Sequence, residues 1–159
     1  MKIRAFQKKD LDDLLALYRY LNHGDDDLLS SERARCVCDR LVDNPIMNCF
    51  VGELEGAQNA QLVSTCTLSV MPNLTRAGCS YGLIENVVTH GCYQRQGYGK
   101  AVIHHALNFA WQSGCYKVML LCNSDRHYAH QFYRACGFRA DQKMGFIARP
   151  SDRSESSDG

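Results

Sequence analysis

The residues whose spacing most clearly suits chemistry are Gln94-Arg95-Gln96-Gly97-Tyr98-Gly99-Lys100. The run from Tyr81 to Thr89 ahead of them is apolar and β-branched, as a buried strand should be, with Glu85 its one charge. Behind them Ala101, Val102, His105, Ala106, Phe109 and Ala110 recur every three or four residues, which predicts a helix from about Gly97 to about Gly114. A helix N-terminus presents unpaired N–H groups and a partial positive charge, and glycines let phosphate oxygens reach the main chain. The segment therefore reads as a pyrophosphate cradle. The Arg95 and Lys100 side chains either add charge there or are simply solvated. The same Gly-x-Gly suits a tight strand-to-helix turn that binds nothing, and spacing alone does not separate the two. A three-glycine dinucleotide fingerprint and a Walker loop are both missing from the sequence.

Glu85 stands inside an apolar strand, where burial would raise its pKa toward that of a useful base. A structural carboxylate, or an edge residue facing solvent, is the alternative. No metal site is expected. His127 and His130 share a predicted helical face without carboxylate or thiol neighbours, and the thiols of Cys36-x-Cys38 would diverge on a helix. His104-His105 reads as a surface and core pair. The nine cysteines are odd in number and irregularly spaced, so most are expected to be small core residues and not disulfide partners.

A chain of 159 residues with net charge +1 and scattered basic residues does not suit nucleic acid. No apolar run approaches the roughly 18 residues of a membrane span, and Met1-Lys2-Ile3-Arg4 opens no signal-peptide core, so a cytoplasmic protein without membrane association is expected. Residues 1–149 are expected to form one domain, and the Ser/Asp-rich stretch 150–159 a disordered tail.

The elements that must position these residues follow in order. Ile3 to Phe6 predicts a strand. Asp10 predicts a cap for a helix carrying Leu11, Leu14, Leu15, Tyr18 and Leu21 on one face, with a stop at Asn22-His23-Gly24. The loop Asp25-Asp26-Asp27 leads to a second helix opened by Ser30 or Ser31 and closed by Asn44-Pro45. Met47 to Leu54 and Leu62 to Val70 predict antiparallel strands joined by a polar turn. From Tyr81 the order is strand, helix, strand (Tyr116 to Cys122), helix, which predicts a locally parallel pair in an α/β fold. Phe138 onward, with Gly145 to Ala148, is expected to supply closing strands.

Gln94-x-x-Gly97-x-Gly99 resembles the Gln/Arg-x-x-Gly-x-Gly/Ala signature of the GCN5-related N-acetyltransferases, the GNAT superfamily. Ala129-x-x-Phe132-Tyr133-x-x-x-Gly137-Phe138 resembles that family's next motif, in register with the first. The resemblance spans Met1 to about Arg149. It implies a mixed, largely antiparallel central sheet with a splayed parallel strand pair, flanked by helices. It also implies acetyl-CoA as cosubstrate, direct transfer to a primary amine in a ternary complex, and often a homodimer. On the same footing Glu85 would be the base, through water, and the Tyr133 hydroxyl would meet the coenzyme A sulfur, unless Tyr133 only packs beside Phe132 and Phe138. Backbone amides near Val87 and Val88 would hold the carbonyl oxygen. The resemblance also implies the pyrophosphate on the amides of Arg95, Gln96, Gly97, Tyr98, Gly99 and Lys100; many relatives have an asparagine on the cofactor arm where this chain has Arg126, so either Asn123 would substitute or that contact would be missing.

Ile84 to Val88, Gly114 to Val118 and Phe132 to Phe138 look like the segments of amino-sugar-acetylating members, apart from Asn86, where aspartate is usual. A phosphorylated acceptor would want cations such as Arg76, Lys117 and Arg149, and a cationic one would want Asp25 to Asp27. A peptide acetyltransferase and a non-catalytic acyl-CoA sensor are the remaining readings.

Overall fold

Among the described residues five strands form one sheet in the order β1-β2-β3-β4-β5: β1 (Lys2–Ala5), β2 (Met47–Glu55), β3 (Ala60–Met71), β4 (Ser80–Thr89) and β5 (Cys115–Met119). The first four pair antiparallel, and β4 pairs parallel with β5. The computed structural model describes residues 1–21, 29–55 and 60–150. The expected helix stop at Asn22–Gly24, the Asp25–Asp27 loop and the tail after Pro150 lie outside the described residues. Two compact units emerge, 1–120 and 121–159. Among the described residues no helix is long and apolar enough to cross a membrane.

In the first unit, strand alternation makes the two sheet faces unlike. Cys49, Val51, Leu62 and Val88 join Leu14, Leu17 and Cys38 from α1 (Leu11–Tyr18) and α2 (Ser31–Val42) in one buried cluster. The Ser30 hydroxyl caps α2 by accepting from the Arg33 amide at 3.2 Å. The opposite face carries Phe50, Cys66, Leu68 and Ile84 beneath α3 (Tyr98–Gln112), whose Val102, Ile103, Ala106 and Ala110 are buried. The Phe50 ring meets Phe109 and His105 edge-on. Gly52 permits this approach, because an added Cβ would lie 3.2 Å from Val102. In the second unit α4 (His127–Ala135) is the one helix among the described residues. The closing strands expected after Phe138 do not form. Residues 139–150 are exposed and carry no strand, so their strand-like composition finds no ladder partner.

Asp10 departs from its expected role. It makes no cap bond to α1 and instead accepts from the Gln7 amide at 2.9 Å and from Arg4 at 2.6 and 3.0 Å. The reason is burial: at 5% exposure its carboxylate needs a cation. Arg4 also reaches Glu53 at 2.8 Å, tying β1 to β2 and to the turn before α1. Burial pushes the Asp10 pKa up, but Arg4 and the Gln7 amide outweigh it and hold the carboxyl below its ordinary value. Arg4 holds Glu53 low in the same way.

Both carboxyls therefore titrate lower folded than unfolded. Their stabilisation is complete above the ordinary carboxylate range near about pH 4 and is lost as pH falls through the folded values. Arg4→Ala leaves Asp10 buried without its cation and is expected to cost about 3 kcal/mol in urea unfolding at neutral pH. The variant should also lose less stability on acidification than the parent, a difference that pH-resolved unfolding curves will read.

Candidate active site

The pairing of β4 with β5 covers Ser80, Gly82 and Leu83 and ends at Leu83–Met119. The expected strand through Cys122 stops short, at Met119. Among the described residues, Ile84 to Thr89 therefore has β3 on one side and no strand on the other. Just past that point β4 bulges: Thr67 pairs with Glu85 and Thr65 with Val88, so Asn86 and Val87 together face the single residue Cys66. Asn86 takes the left-handed conformation with φ 53°, which asparagine tolerates better than most residues.

The structure overturns the expectation of a buried Glu85. It is exposed, as is Asn86, where alternation fails at the bulge, so the argument from desolvation does not apply. Glu85 makes no hydrogen bond or ion pair among the described residues. Its facing is nonetheless set by register. Leu83 pairs with Ser69 and Glu85 with Thr67, and Thr67 pairs with Cys49, so Glu85 belongs to the α1–α2 face.

Backbone direction beyond the bulge follows from three bonds. The Val88 carbonyl accepts from the Ser64 hydroxyl at 3.1 Å, and the His90 amide donates to Val63 at 2.9 Å, so both residues turn to β3. The Thr89 carbonyl turns the other way and accepts from the Gln94 side chain at 3.2 Å. Alternation leaves the Val87 amide on the open edge. Gln94, the first residue of the glycine motif, thus occupies an edge carbonyl that β5 does not reach.

The remaining motif residues arrange the start of α3. Arg95 (φ 59°) and Gly97 (φ 87°) are both left-handed, a backbone course that turns successive amides toward one concavity. The Gln96 side chain donates to the Cys92 carbonyl at 3.1 Å, bracing the turn from behind. Gly97 occupies the N-cap position without a side-chain cap, and no acidic residue stands in the first turn. The amides of Tyr98, Gly99 and Lys100 therefore have no intrahelical partner, in contrast to the capped start of α2. Nothing lies within 4 Å of a Cβ built on Gly97, so that space is open. Arg95 and Lys100 are exposed, and the Tyr98 ring rests 6.3 Å from that of Tyr93. Such a concavity suits the phosphates of a dinucleotide-like ligand.

Two of the three expected phosphate-binding cations converge. Arg76 lies 5.8 Å and Lys117 5.5 Å from the Tyr116 ring, and Lys117 is also 5.6 Å from the Tyr81 ring. Arg76 and Ala77 are left-handed without being glycine, a strained turn that brings the guanidinium over the ring. By register Tyr81 and Leu83 share the face of Glu85.

Tyr133, Asn123 and Arg149 belong to the second unit. The Phe138 amide donates to the Tyr133 carbonyl at 3.1 Å and the Gly137 amide to Arg134 at 2.9 Å, with Gly137 at φ 97°. This is a Schellman cap, and the contact of the Tyr133 ring with Phe138, 6.1 Å between centroids, is its apolar clasp. The Asn123 carbonyl accepts from His130 Nε2 at 2.8 Å, while its side chain is exposed. Among the described residues no three His, Cys, Asp or Glu gather as a metal site.

This architecture has close counterparts. Residues 10–138 match the model of the Acetyltransferase (GNAT) family, and the chain belongs to that family. It is an acetyltransferase by that membership. A solved structure from Agrobacterium tumefaciens str. C58, provisionally named an acetyltransferase, is 40% identical with a TM-score of 0.86 over 94% of this chain and 99% of its own. A glucosamine 6-phosphate N-acetyltransferase of Trypanosoma brucei brucei is 29% identical over 91% of this chain and 92% of its own length. A protein of Oryza sativa subsp. japonica provisionally given the same activity is 32% identical over 70% of this chain and 66% of its own length, just under two thirds.

Replacing Gly97 with Val tests the cradle. The left-handed φ is expected to cost about 1–2 kcal/mol, leaving a folded protein, while the new side chain enters the space open to phosphate. Calorimetry should show loss of acetyl-CoA binding, and retained affinity would refute the cradle.

Proposed function

We propose that the chain transfers the acetyl group of acetyl-CoA directly to the primary amine of a phosphorylated amino sugar. The observation that carries this reading is the edge of β4, where Glu85 on the α1–α2 face and the uncapped start of α3 on the other face meet at the segment β5 leaves unpaired. The coenzyme A pyrophosphate sits on the amides between Arg95 and Lys100, and the thioester reaches the open edge. The amine attacks the carbonyl carbon, and the Val87 amide donates a hydrogen bond to the developing oxyanion. Glu85 takes the amine proton through water. The C–S bond then breaks, and Tyr133 is assigned as proton donor to the thiolate from its motif position alone. Val88 lines the same strand, and Asn123 is assigned to the cofactor arm by motif alone.

Arg76 and Lys117 support a phosphorylated acceptor. Tyr81, under Lys117, precedes Glu85 by four residues on the same face, about 13 Å along the strand. The names of the trypanosomal and rice relatives point to the same acceptor class.

Thiol release from acetyl-CoA should respond to glucosamine 6-phosphate within a panel that also holds aminoglycosides, polyamines, amino acids and peptides. Lys117→Met should raise KM for the sugar phosphate roughly tenfold with kcat nearly unchanged, the loss of one charge-assisted contact. Tyr133→Phe should slow turnover without weakening acetyl-CoA binding, and an unaltered rate removes it from the mechanism. Silence across the panel beside tight acetyl-CoA binding would favour a sensor.

A further inference from the structure

The turn that carries β4 into the start of α3 is held by side chains that stand outside the glycine motif. His90 opens the single helical turn Gly91–Tyr93, and its Nδ1 accepts from the Cys92 amide at 3.2 Å. An amide can only donate, so Nδ1 carries no proton and the ring keeps its proton on Nε2. That nitrogen lies 3.1 Å from the hydroxyl of Tyr20, in the turn that follows α1, and donates to it. The two rings stand 4.6 Å apart between centroids. Gly91 admits the Tyr20 ring, since an added Cβ would lie 3.3 Å from its Cε1. Cys92 is held at its other end as well, where its carbonyl accepts from the Gln96 side chain at 3.1 Å. Three hydrogen bonds thus run from the end of α1 through His90 and Cys92 to the residue before Gly97. Tyr93 pins the same turn to β3: its hydroxyl donates to Gln61 at 3.0 Å, and its ring lies 5.4 Å from that of His90.

We infer that Tyr20 and His90 act as a positioning pair for the phosphate cradle, fixing the approach to α3 against the end of α1. Capping alone does not call for histidine, because serine, asparagine or aspartate would accept the Cys92 amide from the same position. An imidazole has a second nitrogen on the far side of its ring, which lets one residue accept from its own turn while donating to another element. Core packing does not account for the pair either, since Tyr20 is 42% exposed and His90 only half-buried. The cradle is where such bracing matters. Arg95 and Gly97 are both left-handed and no side chain caps α3, so the direction of its amides is set from the turn in front of them. A turn that wanders lowers the fraction of molecules competent to bind, and the apparent affinity falls by that fraction. The inference rests on acetyl-CoA occupying the start of α3.

The test is calorimetry of acetyl-CoA binding to the parent, Tyr20→Phe, His90→Leu, His90→Asn and the double variant Tyr20→Phe/His90→Leu. His90→Leu loses cap and bridge and should weaken binding roughly tenfold, while Tyr20→Phe, which keeps the ring, should weaken it about threefold. An asparagine oxygen reaches the Cys92 amide but not Tyr20, so His90→Asn should recover the cap alone and match Tyr20→Phe. The double variant should bind no more weakly than His90→Leu, the sign of one shared interaction. In acetyl transfer to glucosamine 6-phosphate the losses should appear in KM for acetyl-CoA, with kcat nearly unchanged at saturation. Tyr20→Phe and His90→Asn decide the matter even if the leucine variant does not fold. A Tyr20→Phe protein that binds as tightly as the parent, or losses that simply add in the double variant, overturns the pair. Gly97→Val with its acetyl-CoA affinity intact overturns the cradle, and the purpose of the pair with it.

Discussion

Parallel pairing between β4 and β5 stops at Leu83 and Met119, and a strand cannot leave its polar backbone idle in a protein interior without other groups taking the vacated positions. Much of the site is an answer to that constraint. Gln94 takes the Thr89 carbonyl, Ser64 takes the Val88 carbonyl from the β3 side, and the Asn86 bulge shifts the strand so that the Val87 amide meets the open edge. The glycine motif contributes more than glycines, since its first glutamine mends the edge and its second braces the turn through Cys92.

Packing explains how α3 can deliver its first turn to that edge. Its buried face alternates Val102 and Ile103 with Ala106 and Ala110, and the sheet beneath supplies Gly52. Small residues on both sides bring helix and sheet close, and larger ones would lift the helix from the strand end it serves. On the other face bulky aliphatic residues fill the space under α1 and α2.

The glycine turn, the strand before it and the helix after it were legible because glycine spacing and helical period are local signals. The Leu14 and Val102 stripes were legible too, although Leu17 and Ile103, buried at 1% and 0%, fell outside the chosen faces because a real core covers more than one narrow stripe. The burial expected of Glu85 is absent because it follows Tyr81 and Leu83 on a face that is only partly covered, and nothing in the sequence announces the bulge after it except Asn86. Asp10 looked like a cap until Arg4, six residues away, gave it a stronger bond. The meeting of Arg76 with Lys117 needed a left-handed turn at two non-glycine residues, which no turn rule proposes. The strand expected at Gly145 to Ala148 had composition but no partner, and a ladder needs both.

The bare N-terminus of α3 has a consequence for the protein as a material. Where α2 carries its own serine cap, α3 leaves the equivalent bonds to whatever anion arrives. A ligand that seats there finishes the helix as well as occupying it, and by mass action every tenfold rise in its free concentration above the dissociation constant adds about 1.4 kcal/mol to the folded state. The durability of the protein would then follow the supply of its own reactant, with starvation softening the helix that a plentiful pool keeps whole.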